Sequence, residues 1–314
     1  MPIPSAACAE EGIWDNGILD DNPRPRTGHA SIWTGREVIV WGGSGGATGD
    51  RYDPITDTWT PVPTRGVPGG GDRAYSYSAA VWTGREMIVW DGGRGGLYDP
   101  LTDRWRAVAT TSSPGRGSAV WTGREMIVWD GERGARYDPA GDYWKPISAE
   151  GAPAARGYTT VWTGREMILW GGYECPYECY PVTSGARYDP SRDVWTDTSR
   201  AGAPRSRYNH SAVWTGASMI IWGGLLGEED ATSSGALYDP AADRWTAMSD
   251  AGAPAARWGH SSVWTGKEMI VWAGLRWDAG EGAGRYDPAT DRWSSISTTN
   301  APGDRAGHTA VWTG

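Results

Sequence analysis

Tryptophan returns along this chain at fixed intervals, and no other feature restricts the fold as tightly. A Val-Trp-Thr-Gly or Ile-Trp-Thr-Gly core places Trp at 33, 82, 121, 162, 214, 264 and 312. A second Trp follows eight residues later, at 41, 90, 129, 170, 222 and 272. Tyr-Asp-Pro begins at Tyr52, Tyr98, Tyr137, Tyr188, Tyr238 and Tyr286, and seven residues after each Tyr stands a third Trp, at 59, 105, 144, 195, 245 and 293. With Trp14 these positions hold 20 of the 22 Trp, and only Trp258 and Trp277 fall outside the register. Self-similarity at 39 to 52 residues marks a repeat architecture, in which each unit buries its faces against its neighbours.

Composition supports this only once position is considered. Ile, Leu and Val together make 38 of 314 residues and Phe is absent, a level that accompanies disorder when net charge is high. The net charge is only −9, and 22 Trp with 14 Tyr supply large buriable surfaces instead. Gly without a three-residue period excludes collagen, and no apolar run approaches the ~18 residues of a membrane helix. Gly and Pro at 67 of 314 argue against a helical bundle, and a pI near 5.0 against a general nucleic-acid binder.

Each unit reads as four short antiparallel strands. The first ends at Trp, Thr-Gly turns the chain, and a segment such as Arg85 to Trp90 forms the second. A Gly-rich loop leads to the third strand, ending at Tyr-Asp. Pro then takes the second position of a type I turn opened by Asp53 and its equivalents, and the fourth strand carries the last Trp. Repetition of such units predicts an all-β propeller.

Three motifs resemble the kelch family. Gly42-Gly43, Gly171-Gly172 and Gly223-Gly224 match its double glycine after strand two, and Tyr238 with Trp245 its second signature. Arg-x-x-His before strand one (Arg26/His29, Arg207/His210, Arg257/His260, Arg305/His308) matches its blade junction. Asp91, Asp130 and Ala273 depart from the first Gly. The spacing from Trp14 to Trp33 equals that from Trp293 to Trp312, so the N-terminus reads as a fourth strand awaiting a first strand at the C-terminus. The expectation is a tail over 1–11 and one propeller domain over 12–314. That domain is a seven-bladed design with six complete blades and an incomplete seventh, the chain being a truncated product or fragment; a six-bladed ring is the alternative.

Loop lengths separate two faces. Turns 1–2 and 3–4 are constant, whereas loops 2–3 and 4–1 vary, so function is expected on the variable face. Long loops in blades 4 to 6 form a wall carrying Tyr173, Glu174, Tyr177, Glu178, Tyr180, Glu228, Glu229, Asp230, Trp277 and Asp278 beside a low sector at blades 2 and 3. Arg precedes strand one in every unit. The resemblance implies that each anchors its own junction; a ring of carboxylate- or phosphate-binding groups is the competing reading. Arg73, Arg116 and Arg156 break the spacing, and their blades replace the junction His with Ser78, Gly117 and Tyr158. A pocket is therefore expected there, with Arg73, Tyr75, Tyr77, Asp91, Arg94, Arg116, Asp130, Arg133, Arg156, Tyr158 and Tyr173 as candidate ligand-binding residues, and Trp258 and Trp277 as out-of-register leads.

No HExxH, Gly-x-Ser-x-Gly or phosphate loop occurs, and the four His share one repeat position, so no catalytic residue, metal or cofactor is assigned. The favoured reading is a non-catalytic, monomeric scaffold binding a protein or glycan, with an anionic ligand in view. The alternative is a small-molecule enzyme at the channel mouth, such as a sugar-acid mutarotase or a galactose-oxidase-like propeller. A pair alone, Cys175 and Cys179 offer too few ligands for zinc and read as a disulfide, which points to an extracellular or cell-envelope location. The sequence as given starts without a signal peptide.

Overall fold

The computed structural model describes residues 23–67, 79–175, 177–275, 282–303 and 305–314. Six four-stranded antiparallel sheets follow one another, each ordered one-two-three-four. Blade 5 is representative, with Ser211–Trp214, Met219–Trp222, Gly235–Asp239 and Arg244–Ala247. Its register sets Trp214 opposite Met219 and Tyr238 opposite Trp245. The first strands of blades 1 to 6 lie side by side in sequence order around a channel.

Strand two explains how little aliphatic residue suffices. Side chains alternate across a strand, so its Met and third residue face the preceding blade while its Ile and Trp face the next. Between blades 5 and 6, Ile220 and Trp222 meet Met269, Val271, Tyr286 and Trp293. The same wall recurs between blades 1 to 5. Each contains a Trp pair, such as Trp170 and Trp245 with ring centroids 5.2 Å apart.

The Tyr-Asp-Pro segment holds an additional device. Asp239 opens its turn by accepting the amide of Ala241 at 2.8 Å, as the Asp-Pro motif predicts. A second Asp, five residues after the Tyr, takes a left-handed conformation: Asp243 has φ 46° and its equivalents likewise have positive φ. Its carboxylate accepts both the Tyr238 hydroxyl and the Ser199 amide, while Trp245 Nε1 donates to the Ser199 carbonyl at 2.9 Å. One residue of the preceding blade-to-blade loop is thus gripped at both backbone groups. Tyr238→Phe removes one donor to a carboxylate and is expected to cost about 1–2 kcal/mol in urea unfolding.

Among the described residues six four-stranded blades, the count of the alternative reading, stand where a seven-bladed design with an incomplete seventh blade was expected, and residues 305–314 carry no strand. A first strand becomes a strand by pairing with a second, and none of the described strands pairs with 309–312. This segment nevertheless lies between blades 6 and 1. His308 Nε2 is 2.8 Å from Ser261 Oγ, and His29 Nε2 is 2.8 Å from Thr309 Oγ1. Trp14 lies outside the described residues.

Candidate functional site

In the regular blades the junction Arg and His are structural. Arg207 is 1% exposed. Its guanidinium donates to the carbonyls of Arg205, Gly223 and Ser234 and to the Ser234 hydroxyl, at 2.7 to 3.1 Å. Arg257 repeats this with Ala255, Ala273 and Gly282, and Arg26 with Gly42, Thr48 and Asp50. His210 Nε2 lies 2.8 Å from Thr159 Oγ1, and His260 Nε2 2.8 Å from Ser211 Oγ. His210 is buried and His260 half-buried, and desolvation, helped by the adjacent Arg207 and Arg257, pushes their pKa values down to about 3. Each ring covers the first glycine of the preceding blade. A Cβ on Gly171 would meet His210 Cε1 at 2.7 Å, and one on Gly223 would meet His260 Cε1 at 2.6 Å.

Blades 2 to 4 depart from this in pairs. Asp91 and Asp130 occupy the first-glycine position, and the blades after them carry Gly117 and Tyr158 in place of His. Both carboxylates thus stand where the following blade brings no imidazole. Asp91, buried, is neutralised by Arg116 at 2.6 Å and Arg94 at 3.2 Å. Asp130 accepts the amides of Gly115, Glu132 and Arg133. Both carboxylates are therefore committed within the scaffold.

The space opened by these exchanges is a cavity of ≈ 590 Å³ between blades 3 and 4. The sequence-predicted Arg116, Asp130, Arg156, Tyr158 and Tyr173 line it, together with Glu132 and Ser118. Tyr158 donates its hydroxyl to the Trp129 carbonyl, and burial, with Asp130 nearby, pushes its pKa up, so it stays protonated. Arg156 pairs with Glu132 at 3.2 Å, both side chains mostly exposed, a weak link that an incoming group can replace. Tyr173 is set by its backbone, which exchanges both hydrogen bonds with Arg156, and by edge contact with Tyr208 at 5.6 Å. Arg116 and Arg156 are thus the described junction arginines that reach across to the preceding blade rather than into their own.

Ser118 escaped the sequence reading. Its equivalents Thr159, Ser211, Ser261 and Thr309 each meet a His of the following blade, whereas Ala30 and Ala79 precede blades without one. Ser118 keeps its hydroxyl although Tyr158 has replaced the His and bonds Trp129 instead. It sits where the cavity meets the central channel, a ≈ 500 Å³ space that Gly117, Ser118 and Tyr158 also line. Comparing that one position across the seven repeats would have found it.

The remaining candidates are dispersed. Arg133 is exposed, and Arg94 is engaged with Asp91. Trp258 is half-buried beside blade 6, its backbone paired with Leu275. Arg73, Tyr75, Tyr77 and Trp277 lie outside the described residues. Cys175 and Cys179 are joined by a disulfide, Sγ–Sγ 2.02 Å, at the tip of a small hairpin in which Tyr173–Glu174 pairs with Tyr180–Pro181. Both cysteines border a second cavity that shares Arg156 and Tyr173 with the first. Among the described residues no cluster of three His, Cys, Asp or Glu is placed to hold a metal ion, and no helix is long and apolar enough to cross a membrane.

No curated protein matches the chain. The family model for the KLHDC2/KLHL20/DRC7 Kelch-repeats domain matches residues 117–314, well over half of the chain. Together with six blades built on the double-glycine and Tyr-to-Trp register, this match shows that the chain belongs to the kelch-repeat β-propeller family.

Proposed function

We propose that the protein is a non-catalytic scaffold that binds a protein partner through the face of the 2–3 and 4–1 loops, centred on the cavity between blades 3 and 4. The observation that carries this is the paired loss of junction His and first Gly, which opens ≈ 590 Å³ lined by Arg116, Ser118, Arg156 and Tyr173. Tyr158 and Tyr173 offer ring surface, Arg116 and Arg156 offer donors for an acidic side chain, and Ser118 adds a hydroxyl at the channel mouth. An acidic residue in an extended segment would displace Glu132 from Arg156 at little cost, because that pair is exposed. The test is selection of a displayed random peptide library on the native protein. Arg156→Ala and Tyr173→Ala are expected to weaken the enriched peptides about tenfold, about 1.4 kcal/mol. Arg205→Ala, on blade 5, should leave them unchanged. Equal binding to all variants overturns the proposal, and a glycan array probed with the same variants separates a carbohydrate ligand from a peptide.

His308 and Thr309 make the same His-to-hydroxyl links to blades 6 and 1 that His210 and His260 make to blades 4 and 5, so the C-terminal segment bridges the two end blades of the ring.

A further inference from the structure

The face of constant turns is uniform in length but not in composition. In the turn between strands three and four, the residue after Pro is Ile55 in blade 1 and Leu101 in blade 2. Blades 3 to 6 carry Ala140, Ser191, Ala241 and Ala289 there. The turn itself makes no use of an apolar side chain, because Asp53 and Asp99 hold it by accepting the amides of Ile55 at 2.8 Å and Leu101 at 2.9 Å. Ile55 is 81% exposed and Leu101 86%. Exposed apolar side chains scattered singly need no explanation, but these two stand on adjoining turns. Arg51, in strand three of blade 1, donates to the Pro100 carbonyl at 3.1 Å and pairs with Asp103 at 3.7 Å, which ties the two turns together. Exposed Pro54 extends the apolar surface beside Ile55.

Cations frame this surface. The turn between strands one and two carries Arg36 in blade 1 and Arg85 in blade 2, with side chains 75% and 72% exposed. Each reaches the Asp that opens the neighbouring apolar turn, Asp53 at 3.4 Å and Asp99 at 3.2 Å, so arginine and apolar residue share one surface. Those two carboxylates lie beneath, at 12% and 9% exposure, while Asp57 and Asp103 accept the hydroxyls of Tyr52 and Tyr98. What protrudes is therefore cationic and apolar, on a chain whose net charge is −9. We propose that the turn face of blades 1 and 2 docks an acidic segment of a protein partner, which seats apolar side chains against Ile55 and Leu101 and sets carboxylates over Arg36 and Arg85. A guanidinium carries five N–H donors and can take a second carboxylate beside the first. An apolar centre with a charged rim is the general anatomy of a protein interface. This surface lies on the opposite face from the cavity between blades 3 and 4 and does not depend on it.

The repeat supplies its own conservative variants, since Ser191 in blade 4 and Ala217 in blade 5 occupy these two turn positions. The double variants Ile55→Ser with Leu101→Ser, and Arg36→Ala with Arg85→Ala, are therefore expected to keep the fold, which unchanged urea midpoints check. Arrays of random Leu/Glu, Leu/Gln and Leu/Lys peptides are probed with the full 314-residue chain, and the strongest Leu/Glu peptide is titrated by fluorescence anisotropy. Leu/Glu peptides should retain the chain and the other two sets should not. Each double variant should weaken the chosen peptide about tenfold, and the arginine pair should also flatten its dependence on salt. Absence of saturable binding, equal retention on all three backgrounds, or binding insensitive to both double variants overturns the proposal. So does loss on Arg156→Ala with none on the double variants, which places the peptide in the cavity of the opposite face. A concentration-dependent dimer that Leu101→Ser dissolves gives the surface to a second copy of the chain. Heparin binding that needs Arg36 and Arg85 but not Leu101 makes it a polyanion site. Either of these results also overturns the proposal.

Discussion

Arg207→Met is expected to lower unfolding stability by about 3–5 kcal/mol, the largest single-residue effect outside the Trp walls. Arg207 is 1% exposed, and among the described residues no carboxylate pairs with its guanidinium; three carbonyls and one hydroxyl carry its charge. Burial pushes its pKa down to about 10, so it remains protonated at neutral pH. Methionine fills most of the volume yet takes the guanidinium donors from the carbonyls of Arg205 and Gly223, and leaves the Ser234 carbonyl with the Gly223 amide alone. The damage spreads, because the Arg207 carbonyl accepts the amide of Gly172 in the preceding blade at 2.8 Å. Arg207→Lys should recover little, since one ammonium cannot reach acceptors arranged around a planar fork. Arg156→Ala provides the contrast: the side chain is 65% exposed, and a change within about 0.5 kcal/mol is expected. Urea unfolding monitored by Trp fluorescence measures all three, and a loss below about 1 kcal/mol for Arg207→Met would show that the junction arginines do not anchor the blades.

Mild acid should destabilise the protein well before its carboxylates titrate. Desolvation, with Arg207 and Arg257 beside them, holds His210 and His260 neutral, their pKa values pushed down to about 3 from the usual 6.5. In the unfolded chain both take up protons below about pH 6.5, while in the folded chain they do not, so stability falls with pH across the window from about 6.5 to about 3. Two such groups cost about 3–5 kcal/mol between pH 7 and 4.5. His29 and His308, also shifted down by burial, act in the same direction. Asp189, Asp193 and Asp243 lie below their ordinary value, so their stabilisation is retained above about pH 3.8 and is lost only in stronger acid. Urea midpoints measured from pH 7 to 4.5 should fall steadily, and His210→Gln should flatten the slope. A flat profile in the parent protein would mean that the imidazoles exchange with solvent.

Much of the scaffold is legible in one sequence because it is written six times over. The Trp interval dictates strand pairing, since Trp214 lies opposite Met219 only if Thr-Gly turns the chain between them. The second Asp of the Tyr-Asp-Pro segment stands five residues after every Tyr, yet its role went unread. Beside the Tyr of its own blade, it accepts an amide from the preceding blade-to-blade loop, Ser199 for Asp243, and sequence spacing within a repeat does not display a contact between repeats. The irregular sector at blades 2 to 4 was visible as a break in the junction pattern. What each break does was not: Asp91 and Asp130 look like exposed acids awaiting a ligand, but one is neutralised by two arginines and the other caps backbone amides.

The sequence by itself determined the unit: four strands, constant turns on one face, variable loops on the other, and Trp rather than aliphatic residues as the filling. These follow from local pattern, because period-two alternation and turn chemistry act within a few residues. Only the tertiary structure decided the rest. Arg207 and Arg156 occupy comparable junctions, yet one is sealed in its own blade and the other crosses to Glu132 at the cavity rim. After strand two, Gly171 and Gly223 lie under the imidazoles of His210 and His260, while Asp91 and Asp130 stand where the next blade brings none. How many blades complete their sheets depends on which strands meet across the ring. Each of these outcomes is a matter of space shared between neighbouring repeats, and space is settled only when the repeats are packed.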